Sequence, residues 1–77
     1  MTYIIIAQNN CVFCDRATEL LRSHNLHYTY YNLSDNPWLH ALIKSAGHRT
    51  VPIIFTSEGK HIGGYAELNK HKENFND

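Results

Sequence analysis

Apolar positions along this chain fall into short continuous runs and into stretches of helical spacing, with polar joins between them. Tyr3-Ile4-Ile5-Ile6-Ala7 is apolar without alternation, which predicts a strand over 3–7 covered on both faces and therefore central in its sheet. Gln8-Asn9-Asn10 is a polar turn that ends it. Over 13–24 the residues Ala17, Leu20, Leu21 and His24 recur at helical intervals, with Phe13 one turn earlier, so this stretch reads as a helix that stops at Ser23-His24-Asn25. His27-Tyr28-Thr29-Tyr30-Tyr31-Asn32 is rich in aromatic and β-branched types and reads as a second strand.

Strand, helix and strand with short joins predict two parallel strands linked by a right-handed crossover. Ser34-Asp35-Asn36-Pro37 then has the makings of a helix start, with polar cap candidates before a proline at the first helical position. Trp38, Leu39, Leu42, Ile43 and Ala46 form the apolar stripe of that second helix, and Gly47 is its stop. Residues 52–56 read as a third strand, Ser57-Glu58-Gly59-Lys60 as a turn and His61-Ile62 as a short fourth strand, which together make an antiparallel hairpin. Gly63-Gly64 breaks the strand, a last helix over 65–72 turns Leu68 inward, and 73–77 is expected to fray. The expected whole is one α/β domain over 1–77: a four-stranded mixed sheet, two parallel strands plus an antiparallel hairpin, flanked by three helices.

Charge removes several functions from consideration. Seven Lys and Arg balance seven Asp and Glu, so the usual electrostatic reason to propose a nucleic acid or an anionic membrane as partner is missing. No run approaches the roughly 18 apolar residues of a membrane span. Met1-Thr2-Tyr3 lacks the basic start of a signal peptide, so the expected location is the reducing cytoplasm. The six histidines are scattered and read as solvated, none with a catalytic role.

In a reducing compartment a lone disulfide does not persist as a staple, and a CxxC pair is instead catalytic or metal-binding. The only two cysteines are Cys11 and Cys14, at the junction between the first strand and the first helix. Unpartnered N–H groups and the helix dipole favour negative charge there, so a thiol gives up its proton more readily, and the thiolate is the form that attacks disulfides. A second thiol one turn on can close an intramolecular disulfide and release a product. Zinc is the competing reading, through Cys11, Cys14, His24 and His27. The gap from Cys14 to His24 is too short and the histidine spacing too tight, so no metal is expected.

Three motifs in order, Cys11-Val12-Phe13-Cys14, Thr50-Val51-Pro52 and Gly63-Gly64-Tyr65 followed by Glu67, resemble the glutaredoxin family within the thioredoxin fold, in particular its compact bacterial and phage-type members. The resemblance spans residue 3 to about residue 70. It implies a cis Pro52 whose turn offers the Val51 N–H and C=O to the cysteine moiety of glutathione in strand-like pairing. It also implies that the N–H groups of Tyr65, Ala66 and Glu67, after Gly64, meet the γ-glutamyl carboxylate, and that the Glu67 side chain meets the γ-glutamyl ammonium. Phe13 stands in the place of the usual tyrosine and supplies an apolar wall.

By the same resemblance the function is glutathione-dependent dithiol–disulfide exchange, with Cys11 as nucleophile, Cys14 as resolving thiol and glutathione as reductant. Disulfide-bearing proteins are the implied substrates, ribonucleotide reductase among them, and a monomer is expected. One departure concerns charge: Gln8 replaces a frequent lysine that stabilises the thiolate and binds the glycyl carboxylate, and Arg16 and Arg49 are the candidates to restore that charge. Gln8 also keeps a rival reading open, a thioredoxin-like donor recharged by a flavoprotein reductase. A further rival is an iron–sulfur cluster bridged between two copies through Cys11 and glutathione, for which Val12 is larger than the usual residue.

Overall fold

A computed structural model describes residues 2–75. Its elements are β1 (Thr2–Ala7), α1 (Val12–Ser23), β2 (His27–Asn32), α2 (Pro37–Ser45), β3 (Ile53–Thr56), β4 (His61–Gly63) and α3 (Tyr65–His71). Short 3₁₀ turns lie at Leu33–Asp35 and Lys72–Asn74. The strands form one sheet in the order β2-β1-β3-β4, with β1 and β2 parallel and the other neighbours antiparallel. This is the mixed sheet and three-helix arrangement expected from the sequence.

The unbroken apolar run of β1 has the predicted cause. Tyr3, Ile5 and Ala7 point to one face and join Cys14, Ala17 and Leu21 of α1, Ile54 of β3 and Leu68 of α3. Ile6 points to the other face and joins Leu33, Leu39 and Ile43 beneath α2, with Ile53 of β3. A central strand with a core on each side has no polar face to show. The β3–β4 turn is held by Thr56, whose N–H donates to the Lys60 carbonyl at 2.9 Å and whose hydroxyl oxygen accepts from the Glu58 and Lys60 N–H groups.

Four expectations need correction. The buried stripe of α1 is Cys14, Ala17 and Leu21, while Phe13 and His24 lie outside it. Only Leu39 and Ile43 of the α2 stripe are buried; Trp38 and Leu42 are 64% and 58% exposed, because the sheet covers one edge of that wide apolar surface. Residues 73–75 do not fray. The chain makes a 3₁₀ turn after α3 and brings the Phe75 ring within 5.7 Å of Tyr3 and 5.1 Å of His24, centroid to centroid. The rest of the expected fray, 76–77, lies outside the described residues. The third strand begins at Ile53 rather than Pro52, since a proline has no N–H to give the ladder.

Candidate active site

Cys11 caps α1. Its backbone is extended while its carbonyl accepts the first helical bond from the Asp15 N–H at 3.1 Å. Its sulfur takes the place a serine or aspartate oxygen takes in ordinary caps, accepting the Cys14 N–H at 3.1 Å. A sulfur so placed has a hydrogen-bond donor and the positive end of a twelve-residue helix aimed at it, and both favour the thiolate.

The two sulfurs are joined in a disulfide, with the Cα atoms 5.2 Å apart. The two are not equivalent. Cys11 is half-buried and Cys14 has no exposed surface, since it belongs to the core beneath α1. A reagent from solution reaches Cys11, and only Cys11 reaches Cys14.

The second motif lies against the first. Cys11 Sγ is 3.8 Å from the Val51 carbonyl oxygen. In the disulfide this is a contact between two electron-rich atoms. In the dithiol form the Cys11 S–H has an acceptor there. The Val51–Pro52 peptide bond is cis, as the resemblance implies. Among the described residues no hydrogen bond takes up the Val51 N–H. Gly64 backs directly onto this turn: a Cβ on it would stand 3.5 Å from the Pro52 carbonyl oxygen, which ties the third motif to the second.

At the third motif the Glu67 carboxylate bends back, and its Oε1 accepts the Gly64 N–H at 2.8 Å. Glycine has no side-chain oxygen to reciprocate, so this is one half of a capping box. The Gly64 and Glu67 N–H groups hold this carboxyl below the ordinary glutamate range, and Lys70 and His61 act in the same direction. The Glu67 carboxylate, expected by resemblance to meet the γ-glutamyl ammonium, thus also has an intramolecular partner through one of its oxygens. Phe13 is exposed and faces Tyr65 at 6.1 Å between ring centroids, with the Arg16 guanidinium 5.3 Å from the centre of its ring. The apolar wall is therefore shared by α1 and α3. Ala66 is exposed at the same helix start, with no contact that singles it out.

On the other side of Val51 a cleft of about 760 Å³ opens between α2 and the loop before β3. Gln8, Thr50 and Val51 line it together with His40, Lys44, His48 and Arg49. This divides the two arginines proposed to stand in for a lysine at position 8. Arg49 shares the cleft with Gln8, whereas Arg16 sits beside Tyr65 in a separate hollow. His40, Lys44 and His48 were not foreseen as part of the site; their signal was basic residues four apart along one helix and its exit loop. Among the described residues no group of three or more His, Cys, Asp or Glu is arranged to hold a metal ion.

Comparison with known proteins gives a consistent result. The family model for glutaredoxin matches residues 2–62. The mitochondrial glutaredoxin-2 of Mus musculus is 35% identical over 75 residues, which cover 91% of this chain and 47% of that protein. The chain thus spans about half the length of the mammalian relatives it matches. Among solved structures, the buckwheat glutaredoxin–glutathione complex superposes with a TM-score of 0.77 at 26% identity, covering 94% of this chain and 68% of that one. Reduced Escherichia coli glutaredoxin gives 0.73 at 31% identity, covering 96% of both chains.

Proposed function

This chain belongs to the glutaredoxin family, and from that premise we propose that it is a glutathione-dependent dithiol–disulfide oxidoreductase. The observation that carries the proposal is the inequality of the two sulfurs, an accessible Cys11 at a helix start bonded to a fully buried Cys14. The Cys11 thiolate attacks one sulfur of a substrate disulfide, forming a mixed disulfide while the other substrate sulfur leaves as a thiolate and takes a proton. Cys14, deprotonated, attacks the Cys11 sulfur, which releases the second substrate thiol and leaves Cys11–Cys14 oxidised. Two glutathione molecules restore the dithiol. The first forms a Cys11–glutathione disulfide and frees Cys14; the second removes the first as glutathione disulfide.

Glutathione would lie across the three motifs. Its cysteine pairs with Val51, its γ-glutamyl end rests against residues 64–67, and its glycyl carboxylate points toward Gln8 and Thr50. Phe13 and Tyr65 form the apolar wall. The shared cleft of Gln8, Lys44 and Arg49 supports this reading, since it returns positive charge to the side where position 8 has lost it. Disulfide-bearing proteins are the substrates by family likeness, ribonucleotide reductase among them. The reducing cytoplasm is the setting in which a glutathione pool would sustain the cycle.

The test is a coupled assay with glutathione, glutathione reductase and NADPH on a small glutathionylated disulfide. Turnover should be present in the wild type, absent in Cys11→Ser and retained in Cys14→Ser, because one thiol suffices for deglutathionylation. Cys14→Ser should lose reduction of protein disulfides. No turnover in the wild type, with activity restored by a thioredoxin reductase, would assign the chain to the thioredoxin-like reading instead.

A further inference from the structure

We propose that the cleft beside Val51 is a docking site for an acidic segment of a protein disulfide substrate. The inference rests on the oxidoreductase reading and adds the chemistry of the partner. Four basic-type side chains, His40, Lys44, His48 and Arg49, line the cleft, and among the described residues no carboxylate does. The sequence explains how this arises in a chain with no net charge. Between Asp35 and Glu58 there is no acidic residue, so Lys44 and Arg49 stand without local opposition while all seven acids share the rest of the chain with the other five cations. The segment from residue 36 to residue 57 therefore carries only positive charge, and the cleft it lines adjoins the reactive sulfur through Val51.

Lys44 lies in the last turn of α2, where a cation also suits the helix dipole. That role accounts for one charge. Neither it nor a single glycyl carboxylate accounts for Lys44, Arg49 and two imidazoles on the same wall. His48 is moreover held in place by the ring of His61, 5.1 Å away and edge-on, which in turn lies against Phe55.

Polypeptide is favoured over other anions because the cleft continues from a backbone segment suited to strand addition. A substrate whose cysteine meets Cys11 beside Val51 runs on as an extended chain, rising about 3.3 Å per residue. Its side chains two or three residues from that cysteine then reach about 7–10 Å into the cleft. Asp or Glu at those positions meets Lys44 and Arg49. Such charges act mainly on the rate and selectivity of encounter, and salt screens them.

The experiment uses the full chain, reduced beforehand and freed of glutathione. It reacts in single turnover with two disulfide peptides that differ only in carrying three Glu or three Gln beside the cysteine. In each reaction the protein dithiol becomes a disulfide and the peptide disulfide becomes two thiols. At low salt the Glu peptide should react roughly fivefold faster, a size expected of two exposed charge contacts. That preference should shrink at physiological salt and fall toward unity in the Lys44→Gln, Arg49→Gln double variant. Equal rates for both peptides at low salt overturn the proposal.

Peptides with serine in place of cysteine, titrated into the oxidised protein, keep docking separable from chemistry. Backbone amide shifts at residues 44–51, seen with the Glu peptide only, uphold the docking site even where no peptide is reduced. In that case it is the oxidoreductase reading that fails. No shifts with either peptide overturn the docking site.

Discussion

At residue scale the third motif depends on one glycine more than on its neighbour. Gly63 has φ of +130°, and a Cβ added there would stand 2.7 Å from Glu67 Cγ and 2.8 Å from its Cβ. Those are the inner carbons of the side chain, so they cannot be rotated out of the way without breaking the Gly64 N–H bond to Oε1. Gly59, at φ of +87° in the β3–β4 turn, has open space where a Cβ would go. Gly63→Ala should therefore destabilise by about 2–3 kcal/mol, backbone strain plus a lost hydrogen bond. Gly59→Ala should cost only about 1 kcal/mol. Urea unfolding measures both; equal midpoints for the two variants would contradict this difference. Glu67 adds a pH dependence with a definite sign. Its folded pKa lies below its ordinary value of 4.5, so the charged cap stabilises the fold above that value and is lost as pH falls through the lowered one. Glu67→Gln keeps an oxygen for Gly64 but cannot titrate. Stability curves of wild type and variant should differ at neutral pH and converge in acid, and parallel curves down to the acid limb would refute the cap.

The α2 helix shows at element scale what an apolar pattern determines and what it leaves open. Its spacing predicts a helix, and a helix forms with Pro37 at its start. Its apolar surface is wider than the face the sheet can cover, however, and periodicity does not say which edge loses. Tertiary position decides: Ile43 and Leu39 go under, Leu42 and Trp38 stay out. Ile43→Ala should cost about 2–4 kcal/mol, whereas Leu42→Ala should stay within about 1 kcal/mol. Thermal or urea unfolding of the pair would reveal a wrong helix phase as a reversal of that order. The same ambiguity placed Phe13 on the α1 stripe, when its neighbour Cys14 is the buried residue. β1 was legible because three consecutive isoleucines permit no solvent face. The 3₁₀ turn that sends Leu33 into the second core was not legible, since three residues have no period to read. Of the site, the residues carrying named chemistry were visible as motifs. His40, Lys44 and His48 were not, because a four-residue spacing of basic side chains reads equally as the solvated face of a helix and does not reveal the cleft it borders.

For the whole molecule, chemistry and closure sit at opposite ends of the same two elements. Cys11 caps the start of α1 and follows the end of β1; Tyr3 lies near the start of β1, and His24 follows the end of α1. Twelve helical residues separate these ends by about 18 Å. The far end is closed by Phe75, whose ring meets Tyr3, His24 and His71 with centroids 5.7, 5.1 and 5.9 Å away, all near edge-on. A chain of 77 residues buries only about 60% of its unfolded surface, so each contact of this kind is a sizeable share of its stability. Phe75 is half-buried, which sets its truncation below the cost of a core phenylalanine. Phe75→Ala should lower unfolding free energy by about 1–3 kcal/mol and the melting temperature by roughly 4–8 °C for each of them. Because Phe75 packs at the end of β1 and α1 remote from the cysteine pair, the rate of disulfide exchange per folded molecule should not change. A variant that kept its melting temperature would return the tail to the frayed state its polar composition suggests. One that lost activity while still folded would show that the closed end is coupled to the reactive one through α1.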